Sequence, residues 1–139
     1  MDLTRTWEEQ KAPQAILPAQ TGEAFTVWDW SPDGKKLVGT LPFGANAVAV
    51  YSFETRRLER IVENVNTVPS WLPDSRHIIY DDDDRFFIAD TETKKTKEIL
   101  YNTGENIRAP FISRDGQLLY YSVHSSESNI WLLDAGAIK

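Results

Sequence analysis

Four adjacent carboxylates, Asp81-Asp82-Asp83-Asp84, are the densest run of chemistry-bearing side chains in this sequence. Carboxylate oxygens are the hard ligands that Ca²⁺ takes, but an EF-hand loop alternates its ligands and needs a glycine at its sixth position. This run does neither. Neighbouring residues of an extended chain point to opposite faces, so at most two of the four could converge on an ion. The run therefore reads as a solvated turn that suits Asp and discourages edge pairing, with Arg85 offsetting part of its charge. His77 and His124 have no acid–nucleophile pattern around them and read as packed or surface histidines. Ser31, Ser70 and Ser113 do not lie in a G-x-S-x-G elbow. The seven glycines are scattered, and Gly44-Ala45-Asn46 reads as a hairpin turn, so there is no phosphate-cradling loop. No catalytic, cofactor-binding or metal-ligating residue is assigned; no cofactor is expected, and the chain reads as a non-enzyme.

Asp33, Asp74 and Asp115 belong to a pattern of another kind. Trp30-Ser31-Pro32-Asp33-Gly34 is echoed by Trp71-Leu72-Pro73-Asp74-Ser75 and by Ile112-Ser113-Arg114-Asp115-Gly116, with the aspartates 41 residues apart both times. Pro presets φ, Asp bonds its own backbone and Gly supplies φ > 0, so each copy is a turn and each aspartate a turn-former. Ser75 replaces the glycine in the second copy. Leu37, Ile78 and Leu119 follow at one offset.

Apolar segments recur behind each turn: 37–41, 77–80 and 118–123, then 47–52, 85–89 and 129–133. Segments 57–62 and 96–100 close the first two copies. Gly, Pro and Asn interrupt the segments, and β-branched and aromatic residues dominate them, so they are strands and not helices. Four short strands per repeat of about 41 residues is the period of a β-propeller blade. Pro69 and Pro110 fall inside first strands, where Trp28 stands in the first copy. Proline is tolerated on edges, and the strand lining a propeller channel is an edge. Alternation turns Asp29 away from Trp28 and Trp30, either to face the channel or, the preferred reading, to bond a neighbouring blade. Trp30 and Trp71 share a repeat position, which suggests blade-to-blade packing; Trp131 reads as core, and Trp7 lies outside the repeat.

The turns at 30–37, 69–78 and 110–119, with Asp90 and Asp134 after the third strands, resemble the TolB-like (PD-type, WD-repeat-like) propeller repeat over residues 24–139. Segment 128–133 looks most like propellers attached to bacterial Ser/Thr kinases. The resemblance implies an all-β fold of three four-stranded blades, and a non-catalytic scaffold or interaction domain. Similar repeats also occur in prolyl-oligopeptidase-like peptidases. The alternative is thus a propeller fragment of a larger peptidase, hydrolase or kinase-linked sensor whose catalytic domain is absent.

The formal charge of −6 argues against nucleic-acid phosphate as a partner. No apolar run approaches the roughly 20 residues of a membrane span, and MDLTRTWEEQ lacks a signal peptide's apolar stretch. With no cysteine, disulfides and thiolate sites are excluded. The expected organisation is a closing strand and linker at 1–23, blade 1 at 24–64, blade 2 at 65–105 and blade 3 at 106–139. Blade 3 lacks its own outer strand, and Met1-Asp2-Leu3-Thr4 matches the end of a third strand, with a fourth strand within Trp7 to Leu17. Two copies, head to tail, would close a six-bladed ring as a homodimer, since propellers have four to eight blades and a half-turn closes on itself. Protein or small-molecule recognition is expected over the channel, from loops near Gly22–Phe25, Asn64–Thr67, Glu105–Arg108 and the 81–84 turn.

Overall fold

The computed structural model describes residues 24–41, 46–101 and 106–124, together with Thr4, Thr6 and Glu9. The expected closing strand within Trp7 to Leu17, the strand at 129–133 with Trp131, and Gly22, Glu23, Gly44, Ala45 and Glu105 lie outside the described residues.

The first sheet runs β1 (Thr26–Trp30), β2 (Lys36–Leu41), β3 (Ala47–Ser52) and β4 (Arg57–Glu63), in that spatial order. The second runs β5 (Ser70–Trp71), β6 (His77–Asp82), β7 (Arg85–Asp90) and β8 (Thr96–Tyr101). The third pairs β9 (Asn106–Ile112) with β10 (Leu119–His124). All pairs are antiparallel, and the two four-stranded sheets share one register: Leu37 faces Tyr51 as Ile78 faces Ala89.

The first strand of each sheet pairs on one side alone, as an edge. Pro110 stands within β9, as expected, whereas Pro69 immediately precedes β5 instead of falling inside it; both are fully buried, where no ladder needs their missing N–H. Pro69 keeps β5 short. In β1 the pairing slips between Val27 and Asp29, and in β10 between Tyr120 and Ser122.

Alternation then decides which side chains meet at each seam. Val38, Val48, Val50 and Ile61 of blade 1 pack with Trp71, Ile78, Tyr80 and Ala89 of blade 2. The other face of blade 2 carries Ile79 and Phe86, both without exposure, and Phe86 meets Tyr121 of blade 3 edge-on at 5.4 Å. Each such side chain contributes roughly 1.5–3 kcal/mol by leaving water. Leu41, Ala47 and Ala49, on the face of blade 1 turned away from blade 2, are also buried, with Phe25 and Leu58 against them. Blade 3 ends differently: Phe111 and Tyr120 are 49% and 53% exposed.

Candidate functional site

The repeated aspartates act as turn-formers. Asp33 Oδ1 accepts from Ser31 Oγ at 2.6 Å and from the Lys35 N–H at 3.0 Å, while Ser31 Oγ accepts from the Lys36 N–H at 2.8 Å. The third copy repeats this with Ser113 and Asp115, and with the N–H groups of Gln117 and Leu118. The Ser31 hydroxyl holds the Asp33 carboxyl below its ordinary pKa, and Ser113 does the same for Asp115. The second copy has Leu72 in place of the serine. There His77 Nδ1 lies 2.6 Å from Asp74 Oδ2 and fills the role of the hydroxyl. Burial works to raise the Asp74 pKa, but the bonds from His77 and from the Arg76 N–H outweigh it and lower the value. Ser75 adopts φ 57°, a left-handed conformation that glycine takes at Gly34 and Gly116. Its Oγ accepts the Asp33 N–H at 3.0 Å, so the exception to the pattern ties two turns together.

Two other carboxylates hold the seams. Asp29 Oδ2 accepts from Ser70 Oγ at 3.0 Å and from the Trp71 N–H at 2.8 Å, across the gap from blade 1 to blade 2. The expected bond to a neighbouring blade is this one. Asp81 does the corresponding work between blades 2 and 3. Its Oδ1 accepts from Thr67 Oγ1 at 2.8 Å and the Ala109 N–H at 3.2 Å, and its Oδ2 pairs with Arg108 Nη1 at 3.2 Å.

The solvated-turn reading of 81–84 therefore needs correction. Asp81 is 2% exposed, and Asp81 and Asp82 belong to β6. The turn itself is Asp83-Asp84, both at positive φ (42° and 62°), the two-residue hairpin that matches strand twist. Inward-facing Asp81 is turned to β9, where the guanidinium and N–H groups replace water.

These tethers frame a cleft of about 700 Å³. Trp28 lines it from β1, Asn64, Asn66 and Thr67 from the β4–β5 connection, Asp82 and Asp83 from the β6–β7 hairpin, and Arg108 from β9. The structure thus brings the 64–67, 81–84 and 108 loop positions together. Phe25 is not among them; it packs beneath Leu41 and Ala47. Asn46, Asn64, Asp83 and Ala109, all on the rim, have positive φ. Asn and Asp tolerate that conformation, whereas Ala109 bears a cost of about 1 kcal/mol, with its N–H held by Asp81. Arg108 compensates Asp81, while Asp82 and Asp83 have no ion pair among the described residues. Trp28 Nε1 donates to Thr40 Oγ1 at 2.9 Å, which fixes the indole beside the cleft.

His124, at the end of β10, is exposed and is not brought to the cleft. Ser70 donates to Asp29, and Ser31 and Ser113 to their turn aspartates, so these hydroxyls serve the fold. Among the described residues no three His, Asp or Glu side chains are grouped to hold a metal ion, and no helix is long and apolar enough to cross a membrane.

Antiparallel sheets stacked face to face, each beginning with an edge strand beside the next, define β-propeller blades. No family model and no curated protein matches the sequence. Solved structures match at the level of fold. TolB from Acinetobacter baumannii superposes with a TM-score of 0.62 at 20% identity, over 76% of this chain and 28% of that one. The putative TolB from Agrobacterium tumefaciens gives 0.67 at 15% identity, over 76% and 40%. An oligogalacturonate lyase from Vibrio parahaemolyticus gives 0.61 at 20% identity, over 75% and 30%. The fold is that of TolB-like propeller blades. The chain spans well under half the length of these relatives, and the fold is shared by proteins named as enzymes and proteins that are not.

Proposed function

We propose that this chain is a non-catalytic propeller module that recognises a partner over its channel mouth and completes its ring with a second copy, head to tail. One observation carries the non-catalytic reading. The serines at the repeat positions donate to structural carboxylates, and His77 is spent on Asp74, so none of them forms a nucleophile–base pair. The recognition surface is the cleft beside Trp28. Its uncompensated Asp82 and Asp83, with the asparagine amides, suit a polar segment carrying cationic or N–H donor groups, held by charge-assisted bonds. Ring closure is supported by the exposed Tyr120 of blade 3, since its counterpart in blade 2, Ile79, is fully buried.

Two measurements test this reading. A fluorophosphonate serine-hydrolase probe should leave every serine unlabelled; stoichiometric labelling of one would overturn the non-enzyme reading. Light scattering across a dilution series should give twice the 15.9 kDa chain mass. A mass equal to one chain at every concentration would overturn the two-copy ring.

A further inference from the structure

The inner strands have two ends. The Trp28 cleft lies at the end where the β6–β7 hairpin stands. A second cavity, of about 480 Å³, lies at the other end, where β1, β5 and β9 run into the turns of the repeat. Equivalent positions of the three blades build it. Trp30 and Trp71 share one repeat position, Asp29 and Phe111 another, and Pro32, Pro73 and Arg114 a third, on the turns. The volume falls within the roughly 300–1,000 Å³ of small-molecule clefts. Every lining residue belongs to one chain, so the cavity does not depend on ring closure.

Two opposite charges line this cavity and do not pair with each other. Asp29 Oδ1 accepts one bond, from the Trp30 N–H at 2.8 Å, and Oδ2 accepts two, from Ser70 Oγ and the Trp71 N–H. A carboxylate offers about four lone-pair sites, so one on Oδ1 is left among the described residues. The three donors are neutral and leave the charge uncompensated. Arg114, on the turn of blade 3, is exposed and forms no ion pair among the described residues. The hydroxyls of Ser31 and Ser113 donate to Asp33 and Asp115. The remaining walls are largely apolar: the half-exposed rings of Trp30 and Phe111 and the buried ring of Trp71. Phe53 braces the Trp30 ring at a centroid distance of 5.3 Å.

We infer that this cavity binds a free α-amino acid with an aromatic or large apolar side chain. Its ammonium group donates to Asp29 Oδ1, its carboxylate pairs with Arg114, and its side chain lies against Trp30 and Phe111. A ligand of single charge would leave one of the two protein charges unanswered, whereas a zwitterion compensates both. The guanidinium meets a carboxylate as a two-pronged donor, and an ammonium group on a carboxylate beside indole rings is attracted by both. An α-amino acid carries its charges on neighbouring atoms, so Arg114 turns inward from the rim, and no ion pair of its own holds it back. This site is separate from the Trp28 cleft, and neither requires the other.

L-Phenylalanine, 3-phenylpropanoate and 2-phenylethylammonium share one apolar body and differ in charge. Isothermal titration of the unmodified chain should show saturable one-to-one binding of L-phenylalanine, with each singly charged probe at least about tenfold weaker. Equal affinity for 3-phenylpropanoate would mean that Asp29 is not used, and equal affinity for 2-phenylethylammonium that Arg114 is not. Either result would overturn the assignment, as would no binding of L-phenylalanine. Arg114 is exposed and outside any ion pair, so Arg114→Gln should keep the fold. It should weaken L-phenylalanine about tenfold and leave 2-phenylethylammonium unchanged; equal weakening of both would overturn the pairing with the carboxylate. The double change Asp82→Asn and Asp83→Asn should leave L-phenylalanine binding unaltered. Its loss there would move the ligand to the Trp28 cleft and overturn the site.

Discussion

Replacing Asp29 with alanine isolates the polar link between blades 1 and 2. The carboxylate accepts three bonds: the Trp30 N–H at 2.8 Å, Ser70 Oγ at 3.0 Å and the Trp71 N–H at 2.8 Å. Trp30 is exposed, and its N–H can turn to water. Ser70 and Trp71 are 4% and 3% exposed, so their donors lose an acceptor that water cannot replace. Leaving a buried donor unpaired costs about 1–3 kcal/mol, which puts Asp29→Ala at about 3 kcal/mol after partial relaxation. Asp29→Asn keeps one acceptor oxygen and should lose about 1 kcal/mol. Urea titration followed by tryptophan fluorescence reads both values, and the larger loss corresponds to roughly 10 °C in Tm for a chain of this size. If Asp29→Ala unfolds within about 0.5 kcal/mol of the parent, the apolar cluster alone holds the seam and the tether is incidental.

Gly39 should be intolerant for a steric reason: a Cβ there would lie 2.1 Å from the Thr26 carbonyl oxygen and 2.7 Å from the Phe25 ring. Gly39→Ala should cost about 3 kcal/mol in the same titration, because β1 must move away from β2. Acid should destabilise the protein. Arg76 holds the Asp90 carboxyl well below the usual carboxylate range, and Asp33, Asp74 and Asp115 are also lowered. A carboxyl depressed in the fold stabilises it fully above the ordinary value of about 4, and that contribution is lost as pH falls towards the folded value. Tm measured against pH should therefore fall below about pH 4, and Asp90→Asn should flatten the decline. Asp81→Asn should weaken the blade 2–blade 3 seam by about 2 kcal/mol, since it removes the charge from the bond to Arg108. Arg108 is partly exposed and recovers some hydration, so Arg108→Gln should cost less than Asp81→Asn; the reverse order would contradict this account.

The turns and the period were legible because they are local. The carboxylates of Asp33 and Asp115 bind groups two residues away, and their spacing repeats whatever the tertiary surroundings. The strand at 47–52 carries its own pattern and ends at the expected residues. The Asp29 tether was legible in direction, because alternation assigns it a face. Asp81 was not. In sequence it is one of four identical residues, and what distinguishes it is Arg108, a partner 27 positions away. The boundary between strand and turn falls inside the run, and only the placement of Asp83-Asp84 at positive φ decides which aspartates point inward. The Asp74–His77 pair was also hidden; its signal was the absence of a serine at Leu72, which leaves the carboxylate a free oxygen. Trp30 and Trp71 look alike in the repeat, yet one is open and the other enclosed, because enclosure depends on the blade next door and not on the residue.

The middle blade has neighbours on both faces, and its Ile78, Ile79 and Phe86 retain no exposure, whereas Tyr120 of the third blade stands about half in water. In a stack where each unit is stabilised chiefly by its nearest neighbours, opening free energy is graded along the chain. Amide hydrogens of β6 and β7 should then exchange slowest, and those of β10 should exchange through frequent local openings that leave the rest intact. Covering the third blade's outer face would lengthen the cooperative unit, so that β10 would come to share the protection of the whole.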